Sequence, residues 1–361
     1  MSPGTTTLSQ FAGQAHRPVL VGGCPRSGTT LLRSMLDSHP SLAIPRETRF
    51  VIESWDRRPA FGDLKEAENR RRLAKWIFNR KKTWSDRLGL DPEQAVEHLV
   101  QAPPTLGSLL ATGFAMHAER HGKPRWGDKR PTYAARMEVI WSLFPNAQFV
   151  NVIRDPRACA ASMRKLGWYK GSVVPAVEIW LRSIRTVDSW RRRLAADQLL
   201  DTRFEDLVAD PEDELIRIAE FAGLTVGDAE LEEMLRYHER KETRSERYHA
   251  NVSRPPDTTR LSAWSDVLEP GEIAFIEEAT RPLLLEHTYE PAAEGVSPPR
   301  DLIRELAALQ RRWTVRRLRL RTKERARTLV LHRHPLAAVP AGERPTRAAP
   351  SLSAPVPPRD R

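Results

Sequence analysis

Cysteine is almost missing from this chain: Cys24 and Cys159 are the only two in 361 residues. They lie 135 positions apart (159 − 24), so they offer neither a metal-ligand spacing nor a disulfide framework. A reducing, cytoplasmic compartment is the simpler expectation. Long apolar runs are missing too. No stretch approaches the ~18 uninterrupted apolar residues of a spanning helix. The opening MSPGTTTLSQ has neither the basic start nor the apolar run of a signal peptide. The sequence therefore predicts a soluble protein, or one peripheral to a membrane. No metal is implied, because no His/Cys/Asp cluster has ligand spacing.

Positive charge is abundant. With 58 Lys and Arg against 47 Asp and Glu, the formal net charge is +11. Nucleic acid, an anionic membrane surface or a polyanionic small molecule would each fit that balance, and composition does not choose among them. The length allows one large α/β domain or two small ones, with a real core.

Organisation follows from pattern. Residues 1–17 read as a flexible lead-in. Pro18 to Gly23 (PVLVGG) suits a buried strand, and Thr29 to Ser38 has helical spacing at Leu31, Leu32, Met35 and Leu36. A charged helical region covers about 66–120, interrupted near Asp91-Pro92. FVNVIRD (149–155) reads as a central parallel strand. A further strand near Asp201–Phe204 is followed by a helix through Ile218. Strands alternating with helices predict an α/β fold with a central parallel sheet flanked by helices, as three layers. The domain is drawn at 18–292, a basic C-terminal helix at 293–334, and a Pro/Ala/Arg-rich tail without periodicity, read as disordered, at 335–361.

The segment Gly23-Cys24-Pro25-Arg26-Ser27-Gly28-Thr29-Thr30 joins the first strand to the first helix. Glycines there let backbone N–H groups turn inward, and the helix N-terminus adds positive potential. The spacing matches GxxxxGK[ST] except that Thr29 replaces the lysine that grips the phosphates of a nucleoside triphosphate. That departure argues against ATP or GTP hydrolysis, and Arg26 supplies a cation from inside the loop instead. Arg154 ends the FVNVIRD strand and faces the crevice where such sheets bind ligands. It grips either a phosphate or its neighbour Asp155. Ser162 follows eight positions later (162 − 154) in the next helix.

GCPRSGTTLL resembles the 5′-phosphosulfate loop of sulfotransferases that use 3′-phosphoadenosine 5′-phosphosulfate (PAPS), especially the branch of bacterial and tyrosylprotein sulfotransferases. The resemblance spans about Pro18 to Glu290 and implies a P-loop-type fold and PAPS as donor. It assigns Arg26, Ser27, Gly28, Thr29 and Thr30 to the 5′-phosphosulfate, and Arg154 with Ser162 to the 3′-phosphate. Glu47, in Arg46-Glu47-Thr48-Arg49, stands 21 positions after Arg26 (47 − 26), as the branch's catalytic glutamate does. It is the expected general base unless it is a solvated surface glutamate. Lys129, in WGDKRP, resembles the lysine near the donor's bridging oxygen, where it and Arg26 would stabilise charge; pairing with Asp128 is the alternative.

Weaker matches complete the set. His39, in LDSHP, fits a structural His-Pro helix ending. TRFEDLVADP has Phe204 where the family usually has tyrosine. NVSRPP (251–256) resembles a donor-covering loop, making Arg254 a candidate phosphate contact, with Trp264 beyond it as core. Arg49 fits a substrate-binding role, although Glu53 stands where a second basic residue is expected. The acceptor, a hydroxyl on a carbohydrate, metabolite, lipid-linked sugar or peptide tyrosine, stays open. A nucleotide kinase would need the missing loop lysine, and a nucleic-acid binder would not explain PRSGTT with Arg154. No specific nucleic acid is expected as partner. Finally, Leu302, Leu306, Leu309, Trp313 and Leu320 form a stripe, and residues 311–334 hold ten Lys/Arg against Glu324 alone. That helix either packs on the domain or attaches to an anionic membrane or an acidic partner.

Overall fold

The structure, a computed structural model, describes residues 17–166, 169, 171–240, 254–331 and 336–339. Its elements run β1 (Val19–Gly23), α1 (Thr29–Ser38), β2 (Leu42–Ala43), α2 (Phe50–Arg57), α3 (Ala67–Phe78), α4 (Pro92–Gln101), α5 (Leu106–Arg120) and β3 (Arg125–Lys129). They continue with α6 (Met137–Leu143), β4 (Gln148–Ile153), α7 (Pro156–Arg164), α8 (Val174–Arg191), β5 (Leu199–Arg203), α9 (Phe204–Ala209) and α10 (Pro211–Ala222). The last three are α11 (Asp228–Leu235), α12 (Pro270–Glu286) and α13 (Arg300–Leu331).

The five strands order as β2-β3-β1-β4-β5, and every neighbouring pair is parallel. The chain leaves β1 toward β3 and β2, but leaves β4 toward β5. The β1/β4 boundary is therefore the switch point of the sheet, where α/β folds bind ligands beyond the strands' carboxyl ends. Side-chain alternation distributes the core over both faces. Leu20 and Phe149 join the cluster built from α2 to α6, whereas Val19, Val21, Val150 and Val152 join α1, α10 and α11. A third cluster holds α7, α8 and α12 together beside the loop after β1.

Local chemistry explains the helix starts. Asp91 accepts a hydrogen bond from the Gln94 N–H with Pro92 at the first position, which is the interruption expected near Asp91-Pro92. Thr105 caps α5 through the Ser108 N–H in the same way. The strand β3 is not apparent from its polar sequence RWGDK; pairing with β1 makes it a strand, with Val19 opposite Gly127 and Val21 opposite Lys129.

The first half of α13 packs on the domain: Leu306 is buried in the third cluster, Leu302 and Leu309 flank it, and the Arg182 guanidinium lies 4.1 Å from the Trp313 ring. The expectation of disorder from residue 335 onward is corrected at 336–339. There the Gly107 N–H donates to the Leu336 carbonyl at 2.7 Å, and the Ala338 N–H to the Leu143 carbonyl at 2.7 Å. Leu336 and Ala338 cover the first cluster. A Cβ on Gly107 would stand 2.3 Å from the Ala338 nitrogen, so only glycine lets the backbones meet. Residues 1–16, 335 and 340–361 of the expected lead-in and tail lie outside the described residues.

Candidate active site

The loop from β1 to α1 is built for an anion. Arg26 has φ of 73° and Gly28 of 99°, conformations that turn the loop tightly around its own centre. Gly28 is the N-cap of α1, and no side chain caps the helix N–H groups. Ser27 is fully buried, yet its hydroxyl has no hydrogen-bond partner. A buried hydroxyl without a partner is costly unless a ligand satisfies it.

Arg154 meets this loop from the end of β4. Its Nη1 donates to the Arg26 carbonyl at 3.0 Å, while its own carbonyl accepts from Trp180 Nε1 at 2.9 Å. Its Nε is buried without a partner. Pairing of Arg154 with Asp155 does not occur, because Asp155 is taken by Arg157 at 2.7 Å. Arg26 Nε donates to Ser162 Oγ at 3.0 Å. Ser162 is thus brought to the loop arginine, not to Arg154 with which the sequence grouped it. Burial, and then the charge of Arg154, push the Arg26 guanidinium below its ordinary value. Two crowded cations facing a loop of free donors constitute a receptor for a multiply charged anion.

The sheet brings a second group to the same place. Lys129, at the end of β3, is 2% exposed. Its Nζ donates to Thr30 Oγ1 at 3.2 Å and to Glu47 Oε2 at 3.2 Å. Glu47 is not a freely solvated glutamate: its side chain keeps 27% exposure, open on one side and held by the ammonium on the other. The carboxylate of Asp128 is buried apart from this pair, receiving the Tyr133 hydroxyl and, at 3.4 Å, the Thr48 hydroxyl. Burial pushes the Asp128 carboxyl up to about 7, against the Tyr133 hydroxyl and the Lys129 backbone N–H, which favour its charged form.

Beyond Glu47 lies a cationic wall that only partly shows in the sequence. The Arg49 and Arg87 guanidinium groups lie 3.6 Å and 4.0 Å from the Trp84 ring, and Arg87 Nη1 donates to the Glu47 carbonyl at 2.5 Å. Trp84 holds φ of 55°, an uncommon conformation for a bulky residue and one that concentrates at functional sites. The 66–120 region supplies Trp84 and Arg87 from the turn between α3 and α4, a position that no periodicity marks.

Three other residues singled out in the sequence lie outside this cluster. His39 is structural: its Nδ1 accepts from the Ser41 N–H at 3.0 Å, which leaves Nε2–H to donate to the Thr225 carbonyl at 2.9 Å. Arg254 is exposed and anchored by its carbonyl, which accepts the Tyr237 hydroxyl at 2.8 Å. Among the described residues no hydrogen bond joins its guanidinium to the loop, and 251–253 of NVSRPP lie outside them. Trp264 is half-buried against the third cluster and faces Arg157 at 4.2 Å. Among the described residues no group of His, Cys, Asp and Glu forms a metal site.

The model of the Sulfotransferase family matches residues 18–228. The chain belongs to the sulfotransferase family. The chain is 27% identical over 297 residues to a protein-tyrosine sulfotransferase of Drosophila melanogaster, covering 78% of this chain but 52%, about half, of that protein. It is 28% identical over 296 residues to protein-tyrosine sulfotransferase 2 of Gallus gallus, covering 78% of this chain and 71% of that one. Among solved structures, the sulfotransferase domain of the Synechococcus PCC 7002 olefin synthase is similar at 25% identity and a TM-score of 0.54 over 76% of this chain and 95% of that one. The sulfotransferase domain of the curacin biosynthetic pathway shares the fold, at 20% identity and a TM-score of 0.52 over 76% and 99%.

Proposed function

We propose that this protein transfers a sulfuryl group from PAPS to a hydroxyl acceptor, with Glu47 as general base. The observation that carries the reading is the position of Lys129 Nζ, 3.2 Å from both Thr30 of the loop and Glu47. One ammonium joins the anion receptor to a half-open carboxylate. The donor fits the residues present: the unpartnered Ser27 hydroxyl and Arg154 Nε await acceptors, and Arg26 and Arg154 match a nucleotide charged at two positions. Arg26, Ser27, Gly28, Thr29 and Thr30 would hold its 5′ end and Arg154 its 3′-phosphate, with Ser162 steadying Arg26. PAPS supplies an activated sulfuryl group whose transfer leaves adenosine 3′,5′-bisphosphate. Glu47 takes the acceptor's hydroxyl proton, and Lys129 and Arg26 compensate the negative charge that develops on the leaving oxygen.

The acceptor side is cationic. Arg49, Arg87 and Trp84 flank Glu47, and relatives bear the name protein-tyrosine sulfotransferase. Peptide tyrosine is therefore one acceptor to test beside carbohydrate, lipid-linked sugar and metabolite hydroxyls. An acceptor screen with labelled PAPS tests the activity. With the acceptor found, Glu47→Gln should keep donor affinity while turnover falls by roughly 10²–10⁴-fold. Near-wild-type turnover would move the base elsewhere.

We also propose that the stretch of α13 from Arg311 onward attaches to an anionic membrane surface. Val315 and Leu318 are 50% and 57% exposed among the exposed Arg311, Arg312, Arg316 and Arg319, the composition of a helix lying at a lipid interface. The full chain should bind phosphatidylserine vesicles at low salt, and the Ser variant of those four arginines should not. Equal binding by both, or none by either, overturns this. A reducing, cytoplasmic setting fits the same reading, since Cys24 and Cys159 are both free thiols buried in the core.

A further inference from the structure

The base and the lysine are not the only pair joining their two segments. Glu47 lies between β2 and α2, in chain that belongs to neither, whereas Lys129 ends a buried strand. Successive side chains of extended chain point to opposite sides. Glu47 and Lys129 thus face the site, while Thr48 and Asp128 face the interior. The outer pair meets at 3.2 Å and the inner pair at 3.4 Å, with the Thr48 hydroxyl reaching both carboxylate oxygens. Thr48 and Asp128 are both fully buried, and Tyr133, also buried, donates its hydroxyl to the same carboxylate. Burying a carboxyl group is expensive, and hydroxyl donors offset the cost only in part. Stability alone would be better served by an apolar residue at 128.

We infer that Thr48 and Asp128 form a positioning pair that sets the register between Glu47 and Lys129, and so aims the base at the acceptor hydroxyl. The inference rests on the reading of Glu47 as base. Neither residue touches substrate; both act through Glu47. Displacement of a reacting group by ~1 Å costs about 10²-fold in rate. Thr48→Val keeps the shape and removes the hydroxyl, whereas Thr48→Ser keeps the hydroxyl.

A double-mutant cycle with Glu47→Gln separates the possibilities. Thr48→Val should lower kcat by about 10–10²-fold, leave adenosine 3′,5′-bisphosphate affinity within about twofold of wild type, and be rescued by Thr48→Ser. In the Glu47→Gln background the same change should cost almost nothing, because residues acting as a unit are not additive. A readout independent of turnover is the crystal structure of Thr48→Val, in which Glu47 should leave Lys129 by more than 4 Å. Full additivity, or an intact Glu47–Lys129 contact in that crystal, overturns the inference while leaving the base assignment in place. If Glu47→Gln is as active as wild type, the base assignment fails and the positioning pair falls with it.

Discussion

The guanidinium carbon of Arg154 lies 4.1 Å from the centre of the Phe204 ring, and another edge of that ring closes the space over Gly28. A Cβ on Gly28 would stand 2.2 Å from the ring. One apolar side chain therefore fixes both the loop's tightest residue and the strand-end arginine. This accounts for Phe204 at a place where a tyrosine hydroxyl is expected: the face of the ring, not a hydroxyl, does the holding. Phe204→Ala should weaken adenosine 3′,5′-bisphosphate binding about tenfold, as loss of a cation–π contact of ~1–2 kcal/mol implies. Phe204→Tyr should stay within about threefold of wild type. Titration calorimetry of the three proteins decides, and equal affinity for wild type and Ala removes Phe204 from the site.

Arg154 discriminates between nucleotides under the proposed donor reading. Adenosine 3′,5′-bisphosphate should bind wild type far better than 5′-AMP. Arg154→Ala should erase most of that gap, because a charge-assisted pair is lost from one ligand and not the other. Equal affinity of wild type for the two nucleotides would take the 3′-phosphate away from Arg154.

Two buried groups oppose each other in their effect of pH on stability. Burial pushes His117 down to about 4, beside the Leu88 carbonyl 2.9 Å from Nδ1. Its unfolded value is about 6.5, so its contribution is whole above that pH and is lost as pH falls toward 4. Burial pushes Asp128 up to about 7, whereas an unfolded aspartate sits near 4. On its account stability is greatest below about 4 and declines as pH rises to about 7. Asp128→Asn removes only the second dependence. Its melting temperature should rise more steeply than that of wild type between pH 4.5 and 7. Parallel curves would mean that Asp128 is ionised throughout.

Much of this was legible in the sequence, for physical reasons that differ by element. The run Thr29–Ser38 is the observed α1 to the residue, because glycine and serine mark its start and apolar spacing carries it through. Arg154 was readable because a strand of six buried residues leads to it. By contrast β3 carries a glycine and four polar or aromatic residues and becomes a strand only through its neighbours. Contact between Thr48 and Asp128 joins residues 80 apart, and no local pattern records it. Trp84 was hidden because a left-handed backbone at tryptophan has no sequence signature. Arg254 matched by motif, yet a motif fixes neighbours in sequence and not the direction of a side chain.

The return of residues 336–339 to α5 fixes an order of assembly. Val339 donates its N–H to Ser108 Oγ at 2.9 Å across 231 residues. Contacts of such separation close late, after the local and sheet contacts have formed. During synthesis all residues of the sheet and of the loop after β1 are present once α12 has emerged, but the flank of α5 at Leu106–Leu110 still lacks residues 336–339. A nascent chain, or one cut within α13, therefore presents that apolar flank to chaperones and proteases while the loop after β1 is already synthesised.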